Sequence, residues 1–256
     1  CNLSYVSHRI LEGKPQLEGL PATFADKETA ATLELTCVDN HIGMKVLLYY
    51  TAFCDTDVIT RSVKIINEGT QAFYLTKVLS ACLDMDNQDY EMISLHGSWA
   101  RERHIQRKKV GYGIQKVSSF RGESSHQDHP FLALVSPSTT QEMGEVYAMN
   151  FVYSGNFQAQ AEVSQFDSIR MSMGIHPENF CWKLEQGESF QAPEVVMVYS
   201  SQGLDGMTTA FHHLYKRHLI RGEYKDKKRP ILINNWEATY FNFTTEKLLS
   251  IAKEAS

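Results

Sequence analysis

The chain has 256 residues, of which 43% are hydrophobic and 21% charged, and this composition is typical of a globular protein with a buried core. Its length is sufficient for one large domain or two ordinary ones. The formal net charge of −5 excludes the basic surface expected of a nucleic-acid-binding protein. No apolar run approaches the roughly 18 residues of a membrane-spanning helix, so the sequence predicts no membrane partner.

The cysteines favour a reducing compartment. Their number is odd and no Cys-x-x-Cys pair occurs, so a disulfide framework is disfavoured and cytoplasmic free thiols are expected. The cysteines are Cys1, Cys37, Cys54, Cys82 and Cys181. No signal peptide is visible, but the first residue is Cys1 rather than Met, so a removed leader stays an open alternative.

Short strands with regular turn signals dominate the first two hundred residues. Alternating or continuous apolar runs of strand length predict them. The predicted strands are Tyr5–Leu11, Thr32–Val38, Met44–Phe53, Val58–Ile66, Ala72–Asp84, Phe131–Val135, Val146–Tyr153, Gln158–Val163, Ile169–Gly174 and Val195–Tyr199. Residues 85–130 are less periodic and predict strands with long loops. The pattern as a whole predicts a large β-sandwich.

One amphipathic helix follows the strands. Phe211, Leu214, Tyr215 and His218 recur at helical spacing, with Asp205 or Gly206 as the predicted cap and Gly222 as the terminator. A polar link, residues 225–229, comes next. We therefore predict a β-domain over residues 1–221, a second unit over residues 229–256, and a boundary between Ile220 and Arg229.

The second unit begins as a β/α unit would. Pro230 precedes the apolar run Ile231–Ile233, as expected of a parallel strand buried on both faces. Thr244 is a plausible N-cap for a following helix that carries Leu248 and Ile251 at helical spacing. Polar and aromatic residues crowd the end of the predicted strand, where ligands bind in β/α folds.

Several ordered segments resemble one family, the bacterial α-galactosidases of glycoside hydrolase family 36. They are residues 13–15, 19–23, 96–103, 121–126, 153–157, 193–197 and 229–241. The resemblance implies a mainly β fold. A large β-supersandwich would be followed by the first β/α unit of a truncated (β/α)8 (TIM) barrel.

The resemblance also implies an activity. A family member would hydrolyse terminal α-galactosyl residues of melibiose- or raffinose-type oligosaccharides by a retaining two-carboxylate mechanism. The family's two catalytic aspartates lie on later barrel strands, beyond Ser256, so we expect no catalytic residue in this chain and no activity from it alone. No cofactor is expected, and the family implies a homo-oligomer, commonly a tetramer. The alternatives are an α-N-acetylgalactosaminidase, a galactosyl transferase, or a non-catalytic carbohydrate-binding or assembly module.

The resemblance makes Trp236 the first candidate for substrate binding, since the matching tryptophan lines the galactose pocket. A sugar's apolar face stacks on an indole ring, which also excludes water. The alternative is a tryptophan packed between the barrel mouth and the sandwich. Asn235 could hydrogen-bond a hydroxyl or satisfy loop backbone, as could Asn234, and Glu237 could support the site or be structural.

Two polar clusters are open to other interpretations. Trp99, Arg101, Glu102 and Arg103 could contact sugar or a neighbouring subunit, although a structural Arg–Glu pair in a sandwich loop is favoured. The His-x-x-His spacing of His126 and His129 brackets Asp128, but it lacks a helix and a third partner. We therefore predict no metal site.

The isolated chain is also expected to self-associate. Apolar surface meant to face a barrel would be bare on the inner face of the Phe211–Leu219 helix and around Ile231–Phe241. An unpaired strand edge would add a template for pairing.

Overall fold

The computed structural model describes residues 2–255, which form a β-rich body followed by a short helical segment. The strands are β1 (Ser4–Glu12), β2 (Ala30–Asp39), β3 (Met44–Phe53), β4 (Val58–Asn67), β5 (Phe73–Leu75), β6 (Leu79–Asp86), β7 (Glu91–Ser98), β8 (Arg101–Lys109), β9 (Gly113–Ser119), β10 (Phe131–Val135), β11 (Val146–Val152), β12 (Phe157–Val163), β13 (Ser168–Ile175), β14 (Trp182–Leu184), β15 (Ser189–Gln191) and β16 (Glu194–Ser200). The helices are α1 (Gly203–His218), α2 (Trp236–Thr239) and α3 (Thr245–Ala255).

The body has three layers. A large antiparallel sheet has the strand order β1-β2-β3-β4-β16-β11-β10-β7-β8, with β15 also paired to β4. A three-stranded sheet, β12-β13-β6, covers one face of it, and β9 lies alongside β12. Helix α1 covers the other face, so the predicted sandwich is confirmed and one side of it carries a helix.

Strand β10 shows why a continuous apolar run suits the middle of this sandwich. All five of its residues are buried. Leu132 and Leu134 point into the core between the two sheets, whereas Phe131, Ala133 and Val135 point into the core under α1. Because successive side chains of a strand point to opposite faces, a strand covered on both faces requires apolar residues at every position.

Helix α1 begins before the predicted cap. It starts at Gly203, and the N-cap residue Gln202 makes no side-chain capping bond. Instead, a distant loop caps the first turn: the Leu204 N–H donates to the Thr140 carbonyl at 3.1 Å and the Asp205 N–H donates to the Gln141 carbonyl at 2.9 Å. These carbonyls satisfy N–H groups that a helix leaves unpaired. Because Thr140 and Gln141 lie far from α1 in sequence, no local sequence pattern indicates where the helix begins.

The prediction that the inner face of α1 is bare is wrong. Leu214 is fully buried, and Met207 and Phe211 are nearly so, because they pack on the large sheet. The helix therefore completes the sandwich by covering its second face.

Two strand predictions also need correction. Ala72–Asp84 is not one strand, because β5 pairs with β14 whereas β6 pairs with β13 in another sheet. The pattern did not predict β14 and β15, which have three residues each and are too short to show a period. Within the less periodic residues 85–130, β7 and β8 form a hairpin. Strand β8 is exposed along its whole length, as expected of the edge strand of a sheet.

A buried ion pair links the loop after β1 to the first residue of β16. Lys14 Nζ lies 2.6 Å from Glu194 Oε2, with side chains 3% and 1% exposed. The Thr23 N–H and hydroxyl both donate to Glu194 Oε1, at 2.9 and 2.7 Å. Each carboxylate oxygen thus has a partner, which is the condition under which a buried charge is tolerated.

The chain divides into two compact units, one ending at Leu219 and the next beginning at Ile220. In the second unit, Ile231–Ile233 was predicted to be a buried strand, and that prediction is wrong: residues 228–235 have no regular secondary structure. Leu232 is 93% exposed. A parallel strand exists only through hydrogen bonds to neighbours, and none of the described residues supplies a neighbouring strand here. The predicted helix is present as α3, and Thr244 Oγ1 accepts from the Lys247 N–H at 3.4 Å.

No helix within residues 2–255 is long and apolar enough to cross a membrane. Cys37, Cys54, Cys82 and Cys181 are free thiols.

Candidate functional site

The predicted site residues lie on a single helical turn, α2, directly after the apolar run. The Asn234 Oδ1 accepts from the Trp236 N–H at 2.9 Å and starts the turn. The Asn235 Nδ2 donates to Thr239 Oγ1 at 2.9 Å, and that hydroxyl donates to the Asn235 carbonyl at 3.0 Å. Both asparagine side chains therefore hydrogen-bond within their own loop and turn, as the structural alternative to sugar binding predicts.

Trp236 stands at the centre of an aromatic cluster. The Tyr240 ring meets it edge-on at a centroid distance of 5.5 Å, and the Phe241 ring does so at 4.8 Å. The indole is still 45% exposed. Two rings thus fix the orientation of Trp236 while part of its surface remains open, an arrangement suited to stacking against an apolar ligand face.

Glu237 has a local partner. The Tyr240 hydroxyl donates to its Oε2 at 3.2 Å across the same turn. The turn therefore brings Asn235, Trp236 and Glu237 together, and their roles in binding stay predictions. Sequence reasoning did not single out Tyr240 and Phe241 as part of the site, although an aromatic residue four positions after Trp236 was a signal for Tyr240.

Asp128, which the predicted His126–His129 motif brackets, contacts His96 rather than the two histidines of that motif. His96 Nδ1 lies 2.7 Å from Asp128 Oδ1, and its Nε2 lies 2.7 Å from the Ser94 hydroxyl. Burial, with a smaller effect from the Arg103 charge, lowers the pKa of His129. No group of three or more His, Cys, Asp or Glu side chains within residues 2–255 could hold a metal ion.

The Trp99–Arg103 cluster forms the tip of the β7–β8 hairpin. Trp99 is 79% exposed. Glu102 Oε1 accepts from the Ala100 N–H at 2.9 Å and closes the turn. In the described part of the chain no ion pair joins Glu102 to a neighbouring arginine, so the structural role of this carboxylate is a turn contact rather than the predicted Arg–Glu pair.

Two family models cover nearly the whole sequence. The model of the "Glycosyl hydrolase family 36 N-terminal domain" matches residues 1–185, and the model named "Melibiase" matches residues 189–256. The chain belongs to glycoside hydrolase family 36. The resemblance inferred from the sequence segments is thereby confirmed.

Curated family 36 relatives match this chain from end to end. "Alpha-galactosidase AgaA" of Geobacillus stearothermophilus is 52% identical over 256 residues, and "Alpha-galactosidase Mel36A" of Lactobacillus acidophilus is 46% identical over 254 residues. These alignments cover 100% and 99% of the chain. The chain spans about 35% of the length of each of these relatives.

Solved family 36 structures confirm the fold. A variant of the Geobacillus stearothermophilus enzyme AgaA, solved in complex with raffinose, superposes with a TM-score of 0.96 at 52% identity, covering 99% of this chain and 35% of that one. The galactosidase domain of the α-galactosidase–sucrose kinase AgaSK superposes with a TM-score of 0.97 at 40% identity, covering 99% and 35%. The expected architecture, a supersandwich followed by the start of a barrel, is therefore confirmed.

Proposed function

We propose that this chain is the supersandwich and the beginning of the catalytic barrel of an α-galactosidase that acts on melibiose- or raffinose-type oligosaccharides. The observation that carries the proposal is the match of the whole chain, at 52% identity, to an α-galactosidase whose fold it shares. In this reaction one carboxylate attacks the anomeric carbon and a second protonates the leaving oxygen. Both groups belong to barrel strands outside this chain.

The chain's own contribution to the site is Trp236. The half-exposed indole, held edge-on by Tyr240 and Phe241, supplies a flat apolar wall for one face of the galactosyl ring. Such a wall orients the sugar and keeps water from the reacting carbon. We assign Asn235 and Glu237 to positioning this wall, because their side chains bond within its turn.

The proposal can be tested with a chimera in which residues 1–256 replace the aligned segment of AgaA. The folded chimera should release nitrophenol from p-nitrophenyl α-galactoside and galactose from raffinose, whereas the isolated chain should release neither. A chimera that folds and binds the substrate analogue 1-deoxygalactonojirimycin but shows no turnover would contradict the proposal. Turnover by the isolated chain would contradict the assignment of the catalytic groups to the missing strands.

We further propose that the complete protein is a cytoplasmic homo-oligomer. The odd set of cysteines and the free thiols of the described residues support the compartment. The exposed edge strand β8, which has a partner on one side only, offers a surface for subunit contact. Sedimentation of the chimera tests the assembly, and a monomer at micromolar concentration would contradict it.

A further inference from the structure

A cleft opens at one end of the sandwich, far along the sequence from Trp236 and built wholly from the first compact unit. Its volume is about 510 Å³, within the range of roughly 300–1,000 Å³ found for small-molecule sites. The lining comes from residues 18–20, 122, 153–156, 175–182 and 189–193. Four of the segments that resemble family 36, residues 19–23, 121–126, 153–157 and 193–197, contribute to it.

Aromatic rings form one wall of the cleft. Trp182 is 50% exposed, and its ring lies 5.2 Å from that of Phe190, which in turn lies 5.7 Å from Phe180. Tyr153 faces the same space, and a Cβ at Gly155 would come within 2.6 Å of the Tyr153 ring. A side chain at position 155 would therefore displace the tyrosine. Exposed indole and phenol faces of this kind bind the C–H face of a planar or chair-shaped ring.

Two amide side chains that line the same cleft supply both a hydrogen-bond donor and an acceptor. Asn156 Oδ1 accepts from the Gly122 N–H at 2.6 Å, so its Nδ2 donor has no partner in the described residues. Gln191 Nε2 donates to the Val63 and Ala192 carbonyls at 3.2 and 3.0 Å, which leaves its Oε1 acceptor free within the same residues. A hydroxyl is both donor and acceptor, so adjacent hydroxyls can use both groups.

One buried atom of the wall also lacks a partner. His176 is 2% exposed, and its Nδ1 accepts from the Glu178 N–H at 3.0 Å, which places the proton of the neutral ring on Nε2. Burial, more than the nearby Lys116 charge, lowers the pKa of His176, which favours the neutral ring. Nε2 has no partner among the described residues. A buried donor without a partner is unfavourable, and a hydroxyl acceptor that reached it would offset this cost.

The charges in the cleft restrict the ligand class. Among the described lining residues, Glu18 and Glu178 carry carboxylates, and neither Lys nor Arg contributes. Glu18 is paired with Lys64 at 3.3 Å, so the lining itself offers no unpaired cation to hold an anionic ligand. Because aromatic rings and uncommitted amide groups line the same cleft, the geometry points to a second binding site on the sandwich that takes a neutral, ring-shaped polyhydroxyl ligand, a pyranoside unit of an oligosaccharide. This site does not depend on the proposed α-galactosidase activity.

The three tryptophans allow the site to be read directly, since Trp99, Trp182 and Trp236 lie on the hairpin, in the cleft and at the barrel start respectively. The chain is labelled with 5-fluorotryptophan, and its ¹⁹F resonances are assigned with Trp99→Phe and Trp236→Phe variants. Raffinose should shift the Trp182 resonance saturably, with a dissociation constant in the millimolar range. A shift confined to Trp236, or no saturable shift at Trp182, would overturn the inference.

Two variants and one matched control locate the contact. Asn156→Ala removes the free amide donor, together with the Oδ1 contact to the Gly122 N–H, and should raise the dissociation constant about tenfold. Asn179→Gly removes a lining side chain at a φ of 60°, a conformation that glycine adopts without strain, so the fold is kept. Tyr74→Ala is the control, because Tyr74 pairs with Lys183 and so projects from the opposite face of the β5–β14 ribbon.

Asn156→Ala and Asn179→Gly should weaken the Trp182 response to raffinose, and Tyr74→Ala should leave it unchanged. Equal titration curves for all three variants would overturn the inference, as would a Trp182 response to choline without one to raffinose, since choline would indicate a cation site. The proposed enzymatic function is tested separately, by measuring the activity of the chimera.

Discussion

The sandwich and the segment after it both match family 36 models, yet the two regions differ in how far their side chains are buried. Residues 2–219 enclose two hydrophobic cores and pair their strands with one another. Within residues 220–255 no side chain is buried, and Ile231 and Leu232 are 72% and 93% exposed. Similarity of sequence therefore specifies which fold a segment belongs to, whereas the stability of that fold depends on whether its packing partners are present.

The difference follows from the kind of sheet that each segment builds. The pairings of the sandwich are antiparallel, and many of them join strands close in sequence, such as β2, β3 and β4. A barrel strand pairs with parallel neighbours and is covered by helices on its outer face. The strands of the sandwich pair with other strands of this chain, whereas Ile231–Ile233 have no strand partner among the described residues.

The largest effect is expected at the buried ion pair of the sandwich. Glu194→Ala removes the partner of Lys14 Nζ and of both Thr23 donors, and should lower the free energy of unfolding by about 3–5 kcal/mol. Urea unfolding measures the change. The matched control is Asp84→Ala, which breaks a pair with Arg170 whose side chains are more than half exposed, and should cost less than about 1 kcal/mol. Equal losses of unfolding free energy in the two variants would show that burial does not determine how much an ion pair contributes to stability.

A pair of leucine truncations compares the two regions directly. Leu214→Ala in α1 empties a fully buried position and should cost about 2–5 kcal/mol. Leu249→Ala in α3 alters a side chain that is 64% exposed and should change the free energy of unfolding by less than about 0.5 kcal/mol. If Leu249→Ala destabilises the chain as strongly as Leu214→Ala, then α3 belongs to the cooperative core and the comparison fails.

Trp236→Ala distinguishes a role of the indole in stacking on the sugar from a role in packing within the protein. In the chimera it should lower kcat/KM for raffinose about tenfold or more, a loss of about 1.4 kcal/mol in transition-state stabilisation. The melting temperature should change little, because the ring is 45% exposed. Phe241→Ala, which removes one of the rings that hold the indole, should have a smaller effect in the same direction. Collapse of stability with unchanged activity per folded molecule would favour the packing role.

The smallest expected effect is weak association through the exposed apolar run. The isolated chain should self-associate at micromolar concentration, and Ile231→Asp with Ile233→Asp should shift it towards a monomer of 29.2 kDa in light scattering. Ile105→Asp changes an exposed residue of the edge strand β8 instead. A dimer that survives the first pair of substitutions and is lost with Ile105→Asp would place the contact on the sandwich.

Elements specified by local pattern were predictable, and those specified by distant partners were not. The alternation in β2 and the apolar and aromatic run of β3 gave the limits of these strands to within two residues or better. The start of α1 depends on carbonyls at Thr140 and Gln141. The conformation of Ile231–Ile233 depends on neighbouring strands that residues 2–255 do not supply. Both lie outside what a local window can detect.

The site was predictable only in part, for the same reason. Resemblance led to Trp236, and its turn supplied Tyr240 as a neighbour four residues on. The cleft at Trp182 is assembled from five separated segments, and its wall includes β14 and β15, which are too short to show a strand period. Nothing in the linear order brings Asn156 and Gln191 together.

Hydrogen exchange at Ile231–Ile233 tests most directly whether this segment is a barrel strand without its partners. In the isolated chain these amides should exchange at nearly the rate of an unstructured peptide, while those of β10 are strongly protected. In the chimera, which restores the neighbouring strands, the same three amides should become protected to a similar degree as β10. An active chimera in which they still exchange freely, or protection of them in the isolated chain, would contradict the account.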